Sequence, residues 1–582
     1  MRKNKVLKSF TLLLCLVVSA TGIHAQENKY AGVIAECQDF IKKRMESDGL
    51  VGVSVALIIG DSVVWKEGFG YENKEKQIPM SSSTVASIGS ITNTFTALSI
   101  LQLQEKGKLD IYKPVTDYLP QFNIKTRKGD DLKKVTLKTV INHTSGIPTN
   151  YFKNYDLHSA KYTDVVGYIN TTYLASPPGV RSLYSNVAYS ILGNVVKEVS
   201  HQDYTDYVKQ HIFAPLHMTN SGFSFDSLKH KSEIYYPGGK GTGSFEIRDI
   251  PSNGIYSNID DLIKYAKAMI DACNGEPSSV MNAHTAQEMF KVQNADVLLE
   301  TNKKGLGWFL FKNDSTFAMF HAGNSIYPAS MLLVPKKKIA AIILINTRGG
   351  AALASDFSFN ILERCQLDVA DIVPPPLFKN LKTIPVKLTE KQLEKHTGDY
   401  AQKYVYLTVS KENGGLYVVR NKVKIQLKPV GENEFIPVEI YRKDSIVEKK
   451  DERYFFKDID KYHVMYFKND EREYQLGYKM PLAEITPVWK KRVGVYKHFG
   501  YQLAGGFDTM VQTEIYISAE RVLMMKLTTS TGEFNYPLVI VSDHDVITGG
   551  LNPEETGITI NFSESEGGVV MSYNGVTFRQ QK

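Results

Sequence analysis

Hydrophobic and polar positions divide the chain into a first part with mixed helix and strand patterns and a second part with strand patterns alone. The first part, from about residue 30 to 365, opens with a helical pattern over Gly32–Glu46, and helical patterns dominate its middle to about residue 275. Apolar strand patterns lie on both sides of these helices, at Val51–Ile59, Ser62–Gly70, Gly307–Phe311, Ser330–Val334 and Ile339–Ile345. Strands at both ends of a segment with helices between them predict one antiparallel sheet flanked by helices, an α/β (α+β) domain.

The start of one helix in this part is marked by its sequence. Ser257 is followed by Asp260 at the third position and then by apolar residues at helical spacing, Leu262, Tyr265, Ala266 and Met269. A serine with an acid three positions later is typical of a helix N-terminus, because both side chains can accept hydrogen bonds from backbone amides. The pattern predicts a helix that begins at Ser257.

The second part begins after a proline-rich break, Pro374-Pro375-Pro376. Short alternating strands and turn residues follow, such as Tyr404–Val409, Asn413-Gly414-Gly415 and Leu416–Arg420. Two such stretches open at a spacing of 96 residues with similar tripeptides, Gly398-Asp399-Tyr400 and Gly494-Val495-Tyr496. We therefore predict a linker over 371–385 and two antiparallel, barrel-like β modules over 386–487 and 488–582.

The first 25 residues have the layout of a secretory signal peptide. Four basic residues precede the apolar run Phe10–Ala20, and Ile23-His24-Ala25 forms a cleavage site before Gln26. An uncleaved anchor and a lipid anchor at Cys15 are alternatives, although the apolar run is short for a membrane span. No other run is long enough to span a bilayer, so we expect an extracytoplasmic (periplasmic or secreted) protein without a transmembrane segment in the mature chain.

The net charge and the cysteine content limit the classes of partner and cofactor that this chain could bind. The net charge is +7, and the signal segment supplies four of these positive charges and no acid. The mature chain is then near +3, which is too weak for an electrostatic nucleic-acid site. The remaining cysteines, Cys37, Cys273 and Cys365, are far apart and lack metal-ligand spacing, although one disulfide is open to them. We expect a small-molecule or peptide partner, no nucleic acid, and no cofactor or metal.

The candidate chemistry begins at Ser90, where an apolar helical pattern starts. A serine at a helix N-terminus lies beside free backbone amides and the positive end of the helix dipole, which suit an oxygen that develops negative charge. The structural alternative is a helix cap, a common role of serine. Ser90 alone does not decide between the two.

Three segments together resemble the boxes of the class C β-lactamase, D-aminopeptidase and esterase group of the serine β-lactamase and penicillin-binding-protein superfamily. Ser87–Phe95 is similar to the Ser-x-x-Lys box, Pro178–Asn186 to the Tyr-x-Asn box, and His321-Ala322-Gly323 to the third box, Lys-Thr-Gly or His-x-Gly. Accessory segments also match, at His143–Gly146, Asn253–Ser257 and Gly305–Trp308. Order and spacing agree over roughly residues 35–350. The resemblance implies a β-lactamase/transpeptidase-like serine hydrolase domain over 26–370.

The resemblance also implies the roles of individual residues. Ser90 would be the nucleophile and Tyr184 the proton relay to the leaving group, because acyl transfer by serine needs a proton acceptor. Asn186 would position the substrate, or the side chain at the lysine position, through its amide. The backbone amides of Ser90 and of Asn324, which follows Gly323, would form the oxyanion hole. We expect Ser90, Tyr184 and His321 to converge in one cleft.

Asn93 departs from the family pattern, because it stands where the first box has its lysine. An asparagine amide cannot take up a proton near neutral pH. It also removes the positive charge that favours an ionised tyrosine or serine. General-base assistance is typically worth ~10²–10⁴ in rate. Either activity is impaired, or Tyr184 and another group carry the proton transfer, and the sequence leaves open whether Asn93 is natural or engineered.

His321 and the β modules bear on the substrate. A lysine in the third box would hold a substrate carboxylate, whereas histidine is a weaker, pH-dependent anion partner. Family members with histidine there resemble aminopeptidases and esterases, although a purely structural role for His321 is the alternative. The two β modules match the layout of the D-aminopeptidase branch, where such barrels help to restrict substrate size.

Two functions from different classes remain. The first is a β-lactamase-related serine hydrolase that acts through an acyl-serine on an amide or ester of a small peptide or acyl substrate. The second is a non-catalytic protein on the same fold that binds a peptide or a peptidoglycan-like ligand. A β-rich adhesin with a vestigial hydrolase domain is a third, weaker interpretation. The sequence gives no oligomeric state.

Overall fold

A computed structural model describes residues 30–581 with internal gaps. The gaps are 158, 243–245, 296, 298–302, 313–316, 325–326, 365–383, 403–404, 421–422, 443–444, 460, 470–472, 482–483, 500–509, 519–520, 530–531 and 551–555. The predicted signal peptide, the proline-rich break, Cys365 and Tyr404 therefore lie outside the described residues. No helix of the described residues has both the length and the apolar character needed to cross a membrane.

An eight-stranded sheet forms the centre of the first domain. Its strands are β1 Gly52–Ile59, β2 Ser62–Asn73, β3 Ile78–Pro79, β6 Lys303–Lys304, β7 Phe309–Lys312, β8 Phe317–Asn324, β9 Pro328–Val334 and β10 Ile339–Ile345. Two further strands of this domain, β4 Ala86–Ser87 and β5 Tyr256–Ser257, form a separate two-stranded pair. The sheet order is β3-β2-β1-β10-β9-β8-β7-β6, and every pairing is antiparallel. Strands from the two ends of the domain meet where β1 pairs with β10. The predicted fold class is confirmed.

Helices cover both faces of this sheet. They are α1 30–48, α2 Thr92–Glu105, α3 Leu137–Ile141, α4 Val165–Ile169, α5 Asn186–Ser200, α6 Tyr204–Val208, α7 Ile250–Asn253, α8 Ile259–Cys273, α9 Ala283–Met289 and α10 Ala351–Arg364. Helices α1 and α10 pack on one face, and the larger core lies on the other. Nearly every residue of α2 is buried, which is typical of a helix enclosed on all sides. This central helix carries the segment that follows Ser90.

The helix predicted at Ser257 begins two residues later, at Ile259. Ser257 belongs to β5, where it pairs with Ala86, and Asn258 is the residue that caps α8. The Asn258 side chain accepts a 2.9 Å hydrogen bond from the backbone amide of Asp261. The prediction was wrong in position because strand pairing removes Ser257 from the helix, and an equally good capping residue follows it.

The first β module consists of helix α11 and nine strands. These are α11 Glu390–His396, β11 Gly398–Gln402, β12 Val405–Glu412, β13 Gly415–Arg420, β14 Val423–Pro429, β15 Glu434–Arg442, β16 Ser445–Glu448, β17 Arg453–Ile459, β18 Tyr462–Lys468 and β19 Glu473–Lys479. Because β14 pairs with β15, eight strands close a ring, and β16 pairs with β15 as an additional strand.

The second β module is a closed barrel that follows helix α12. Its elements are α12 Pro487–Lys491, β20 Gly494–His498, β21 Met510–Ile517, β22 Leu523–Thr529, β23 Glu533–Ile540, β24 Asp545–Thr548, β25 Thr559–Ser565, β26 Gly568–Tyr573 and β27 Val576–Gln580. Each strand pairs with its neighbours in sequence, and β20 pairs with β27. The predicted pair of separate antiparallel β modules is confirmed.

The Gly-x-Tyr repeat has the same structure in both modules. Each glycine opens the first strand of its module with a positive φ, +131° at Gly398 and +142° at Gly494. Each tyrosine is fully buried and donates a 2.8 Å hydrogen bond to the carbonyl four residues earlier, Tyr400 to His396 and Tyr496 to Arg492. The tyrosine thereby fastens the end of the preceding short helix to the first strand.

The second barrel is attached to the first domain beside the Tyr-x-Asn segment. Polar contacts join them, including Lys125 Nζ to Asp545 Oδ2 (3.1 Å), the Tyr173 amide to Thr559 Oγ1 (2.8 Å), and the Phe152 amide to the Asn574 carbonyl (2.8 Å). These contacts hold the loops around 149–153 and 171–182, which flank Tyr184 in space and in sequence.

Arg181 connects this segment to both modules. The guanidinium is almost fully buried and donates a 2.9 Å hydrogen bond to Thr556 Oγ1 of the second module. Burial lowers the pKa of Arg181 to about 10, and Tyr462 and Tyr478 of the first module act in the opposite direction. Arg181 therefore lies at the junction of all three domains, three residues before Tyr184.

We expect Tyr400→Phe and Tyr496→Phe each to lower the local stability of its own module by about 1 kcal/mol, because each removes one buried hydrogen bond and leaves a carbonyl without its donor. Hydrogen exchange of β11 and β20 amides in the native protein measures this. Tyr417→Phe is the control, since Tyr417 is half-exposed and belongs to no such pair. Equal exchange in all three variants would contradict the assigned role.

Candidate active site

Ser90 lies in a single turn of 3-10 helix, Gly89–Ile91, that leads directly into α2. The turn is held from both sides. The Ile88 amide donates a 3.0 Å hydrogen bond to the Ile255 carbonyl. On the other side Gly323 of β8 packs against Gly89, and a Cβ on Gly323 would lie 2.5 Å from the Ile88 carbonyl oxygen. The glycine of the third box is therefore required by the close backbone approach next to Ser90.

The Ser90 hydroxyl donates a 2.8 Å hydrogen bond to Asn253 Oδ1. Asn253 is the last residue of α7 and 8% exposed, and its own Nδ2 donates 2.7 Å to the Ser252 hydroxyl. This amide is a site residue that the sequence reasoning missed as such. The signal was present, because the segment Asn253–Ser257 matched the family pattern.

Asn93 and Tyr184 form the second half of the site. Asn93 is fully buried one helical turn after Ser90, and its Nδ2 donates a 2.6 Å hydrogen bond to the Tyr184 hydroxyl. Burial raises the pKa of Tyr184 to about 12, while its hydrogen-bond contacts with Ser90 and Asn93 act to lower it. Asn93, Tyr184, Ser90 and Asn253 thus form one hydrogen-bonded chain of groups that are all neutral at pH 7.

Asn186 occupies a different position from these four residues. It is the first residue of α5, which Ser185 caps by accepting from the Ala188 amide at 2.9 Å. Asn186 Nδ2 donates a 2.9 Å hydrogen bond to Asn150 Oδ1. Among the described residues its side chain makes no hydrogen bond to Ser90 or Asn93.

His321 lies on β8 with its ring 6.5 Å from the Tyr184 ring. Its Nδ1 is 3.1 Å from the Ala322 carbonyl, to which it donates in the neutral ring. Burial lowers the pKa of His321 to about 4, so the imidazole is uncharged at neutral pH. Attraction of an anion by this residue would therefore begin only in acid. Asn324 ends β8 opposite Pro328, one residue after the glycine that contacts the Ser90 turn.

Lys304 is a second residue that the sequence reasoning did not select. It is 6% exposed and donates a hydrogen bond to the Ser182 hydroxyl, with its Nζ 5.5 Å from the Phe309 ring centre. It lines a small cavity together with His143 and His321. Burial, with the nearby Lys304 and His321, holds the pKa of His143 well below its usual value. Lys304 directly precedes the matched segment Gly305–Trp308, which was the only signal for it.

The site has no metal-binding character in the described part of the chain, where no group of three His, Cys, Asp or Glu side chains could hold an ion. The arrangement joins a serine hydroxyl, a phenol within hydrogen-bond reach, and two side-chain amides that contact them. These are the parts needed for acyl transfer through serine, with the base in its neutral form.

Known proteins resemble this chain in sequence and in structure. Residues 37–363, more than half of the 582-residue chain, match the β-lactamase family. Protein flp of Staphylococcus aureus is 27% identical over 318 residues, which are 53% of this chain and 61% of that protein. The chain thus spans about three-fifths of the length of that relative. Beta-lactamase-like protein 2 of Dictyostelium discoideum is 24% identical over 429 residues, 69% of this chain and 76% of that protein.

Among solved structures, a class C β-lactamase in complex with cefoxitin superimposes with a TM-score of 0.50 at 18% identity, and the match covers 58% of this chain and 99% of that chain. This likeness shows the fold. Together with the family match over residues 37–363, it identifies the chain as a member of the β-lactamase family, with the fold of a serine hydrolase.

Proposed function

We propose that this protein is an extracytoplasmic serine hydrolase that cleaves an amide or ester of a small peptide or acyl substrate through an acyl-serine intermediate. The observation that carries the proposal is the hydrogen-bonded chain from Asn93 through Tyr184 and Ser90 to Asn253. Ser90 at the start of α2 has the surroundings of a nucleophile, and the Tyr184 hydroxyl lies within hydrogen-bond reach of the Ser90 hydroxyl.

The proposed reaction uses each of these groups in turn. Ser90 Oγ attacks the carbonyl carbon and its proton passes to the ionised Tyr184 oxygen, which later gives the proton to the leaving amine or alcohol. Water then cleaves the acyl-serine by the same route in reverse. Asn93 donates to the Tyr184 oxygen and stabilises its ionised form, Asn253 orients Ser90, and the amides of Ser90 and Asn324 bind the developing oxyanion.

The weak step is the ionisation of Tyr184. With a pKa of about 12, only about one molecule in 10⁵ carries the phenolate at pH 7. The reaction is therefore expected to be slow at neutral pH, since no cation contacts the phenol in the described part of the site.

The same neutral chain supports a second candidate, a protein that binds a peptide or peptidoglycan-like ligand without turning it over. A buried asparagine in place of a lysine retains hydrogen bonding and loses base strength, which preserves binding more than catalysis. The two proposals differ in whether Ser90 becomes acylated. Both candidate functions include export of the protein, which we propose from the basic start and the apolar run within residues 1–25.

We expect Asn93→Lys to raise acylation of Ser90 by an activated ester ~10²-fold or more, because an adjacent ammonium lowers the pKa of Tyr184 and supplies a base. Intact-mass detection of a fluorophosphonate adduct and hydrolysis of a p-nitrophenyl ester measure it. Asn93→Met is the matched control, since it removes the amide and adds no charge.

Ser90→Ala gives the background for this comparison. Wild-type turnover well above that background would support the hydrolase. Adduct formation in neither the wild type nor Asn93→Lys would refute the hydrolase and leave the binding protein as the account of this site.

The pKa of Tyr184 also sets a pH dependence. If the phenolate is the base, acylation of wild-type Ser90 should rise about tenfold per pH unit from pH 7 to 10, because the ionised fraction grows tenfold per unit below a pKa of about 12. Asn93→Lys should level off at lower pH. Tyr184→Phe should lose the slope, and a pH-independent rate in the wild type would exclude Tyr184 as the base.

A further inference from the structure

A cavity of about 160 Å³ lies between the first domain and one end of the second barrel. Its walls come from the loop that contains Thr149, Asn150 and Phe152, and from barrel residues on β21, β22, β23, the segment before β25, and the end of β26. The barrel residues are Met510, Leu527, Thr529, Phe534, Tyr536, Ile558, Tyr573 and Asn574. Eight-stranded barrels are of the size that can hold one small ligand in the interior. The first domain thus closes the open end of a barrel with a space inside.

The size and lining of the cavity fit one aromatic ring. A protein cavity of about 150 Å³ with apolar walls is known to accommodate benzene. Four of the lining side chains are aromatic, and rings favour edge and offset contacts with other rings: Phe152, Phe534, Tyr536 and Tyr573. Among the described residues, no charged side chain lines the cavity, so an ionic ligand would lose its hydration without compensation from them.

Asn574 adds a specific polar requirement. It is 7% exposed and lies in the Asn574-Gly575 turn between β26 and β27 with φ +51°. Its carbonyl accepts the 2.8 Å hydrogen bond from Phe152, which fixes the residue at the domain junction. The Asn574 Oδ1 atom is buried and has no hydrogen-bond partner among the described residues. A buried acceptor of this kind favours a ligand that brings an N–H or O–H group.

We infer that this cavity binds a neutral group with a single aromatic ring and one hydrogen-bond donor, such as a phenol or an aromatic amine. The ring packs among the aromatic walls, and its donor bonds to Asn574 Oδ1. The inference does not depend on Ser90 chemistry. Asn150, which lines the cavity, accepts the hydrogen bond from Asn186 at the start of α5, so the cavity borders the Tyr-x-Asn segment.

The test is the binding of phenol to the full mature chain carrying Ser90→Ala, followed by NMR of methyl-labelled methionine. Phenol should shift the Met510 methyl signal in a saturable way and leave the signal of Met319, in the core of the first domain, unchanged. Absence of a saturable shift at Met510 would overturn the inference.

Two variants examine the geometry. Thr529→Trp should weaken phenol binding about tenfold or more, because the indole ring would occupy the space that phenol needs and phenol could enter only by overpacking the cavity. Thr528→Trp is the matched control, since neighbouring residues of a strand face opposite sides and Thr528 does not line the cavity. Equal weakening by both would overturn the inference.

Asn574→Gly tests the polar contact and keeps the turn, since glycine adopts a positive φ without strain. It should weaken phenol binding about fivefold, the effect of one ordinary hydrogen bond, and toluene binding less than about twofold. An equal change for both ligands would overturn the role of Asn574. Fluorophosphonate labelling of Ser90 in the wild-type protein then shows whether the aromatic ring belongs to the substrate. Slower labelling with saturating phenol would indicate a substrate ring, and unchanged labelling would indicate a separate ligand.

Discussion

The close approach of two backbones at Gly89 and Gly323 is the constraint on which the site depends. A methyl group on Gly323 would collide with the Ile88 carbonyl, so the turn that carries Ser90 rests directly on β8. The β4–β5 pairing fixes the other side of the turn and brings Asn253 to the Ser90 hydroxyl. Ser90 is therefore positioned by the sheet and by a distant helix end, and its own helix only continues from there.

The asparagine at position 93 changes the electrostatics of the site and leaves its connectivity intact. Its amide still bridges α2 to Tyr184, as one hydrogen bond from a buried side chain. A lysine there would bring a charge whose desolvation must be offset by a nearby anion. The neutral hydrogen-bonded groups avoid that desolvation cost, but without a nearby cation Tyr184 stays protonated. A site that is more stable is in this way less reactive.

Much of the fold could be predicted from the sequence, since long apolar strands such as Ile339–Ile345 have few alternatives. The contact between Ser90 and Tyr184 came from the family resemblance, because no local pattern reports which distant residues meet. Asn253 lies 163 residues from Ser90, and only the folded chain shows their hydrogen bond. The shift of a helix start from Ser257 to Ile259 has the same origin, because a tertiary strand pair overrides a local signal.

Arg181 has a consequence for how this chain can change over time. Its guanidinium is buried beside residues of both β modules, and Tyr184 follows three residues later on the same loop. A mutation at Thr556, Tyr462 or Tyr478 would alter the surroundings of a cation that anchors that loop. A change in either barrel at these positions therefore reaches the loop that carries Tyr184, and the three domains are coupled through this one side chain.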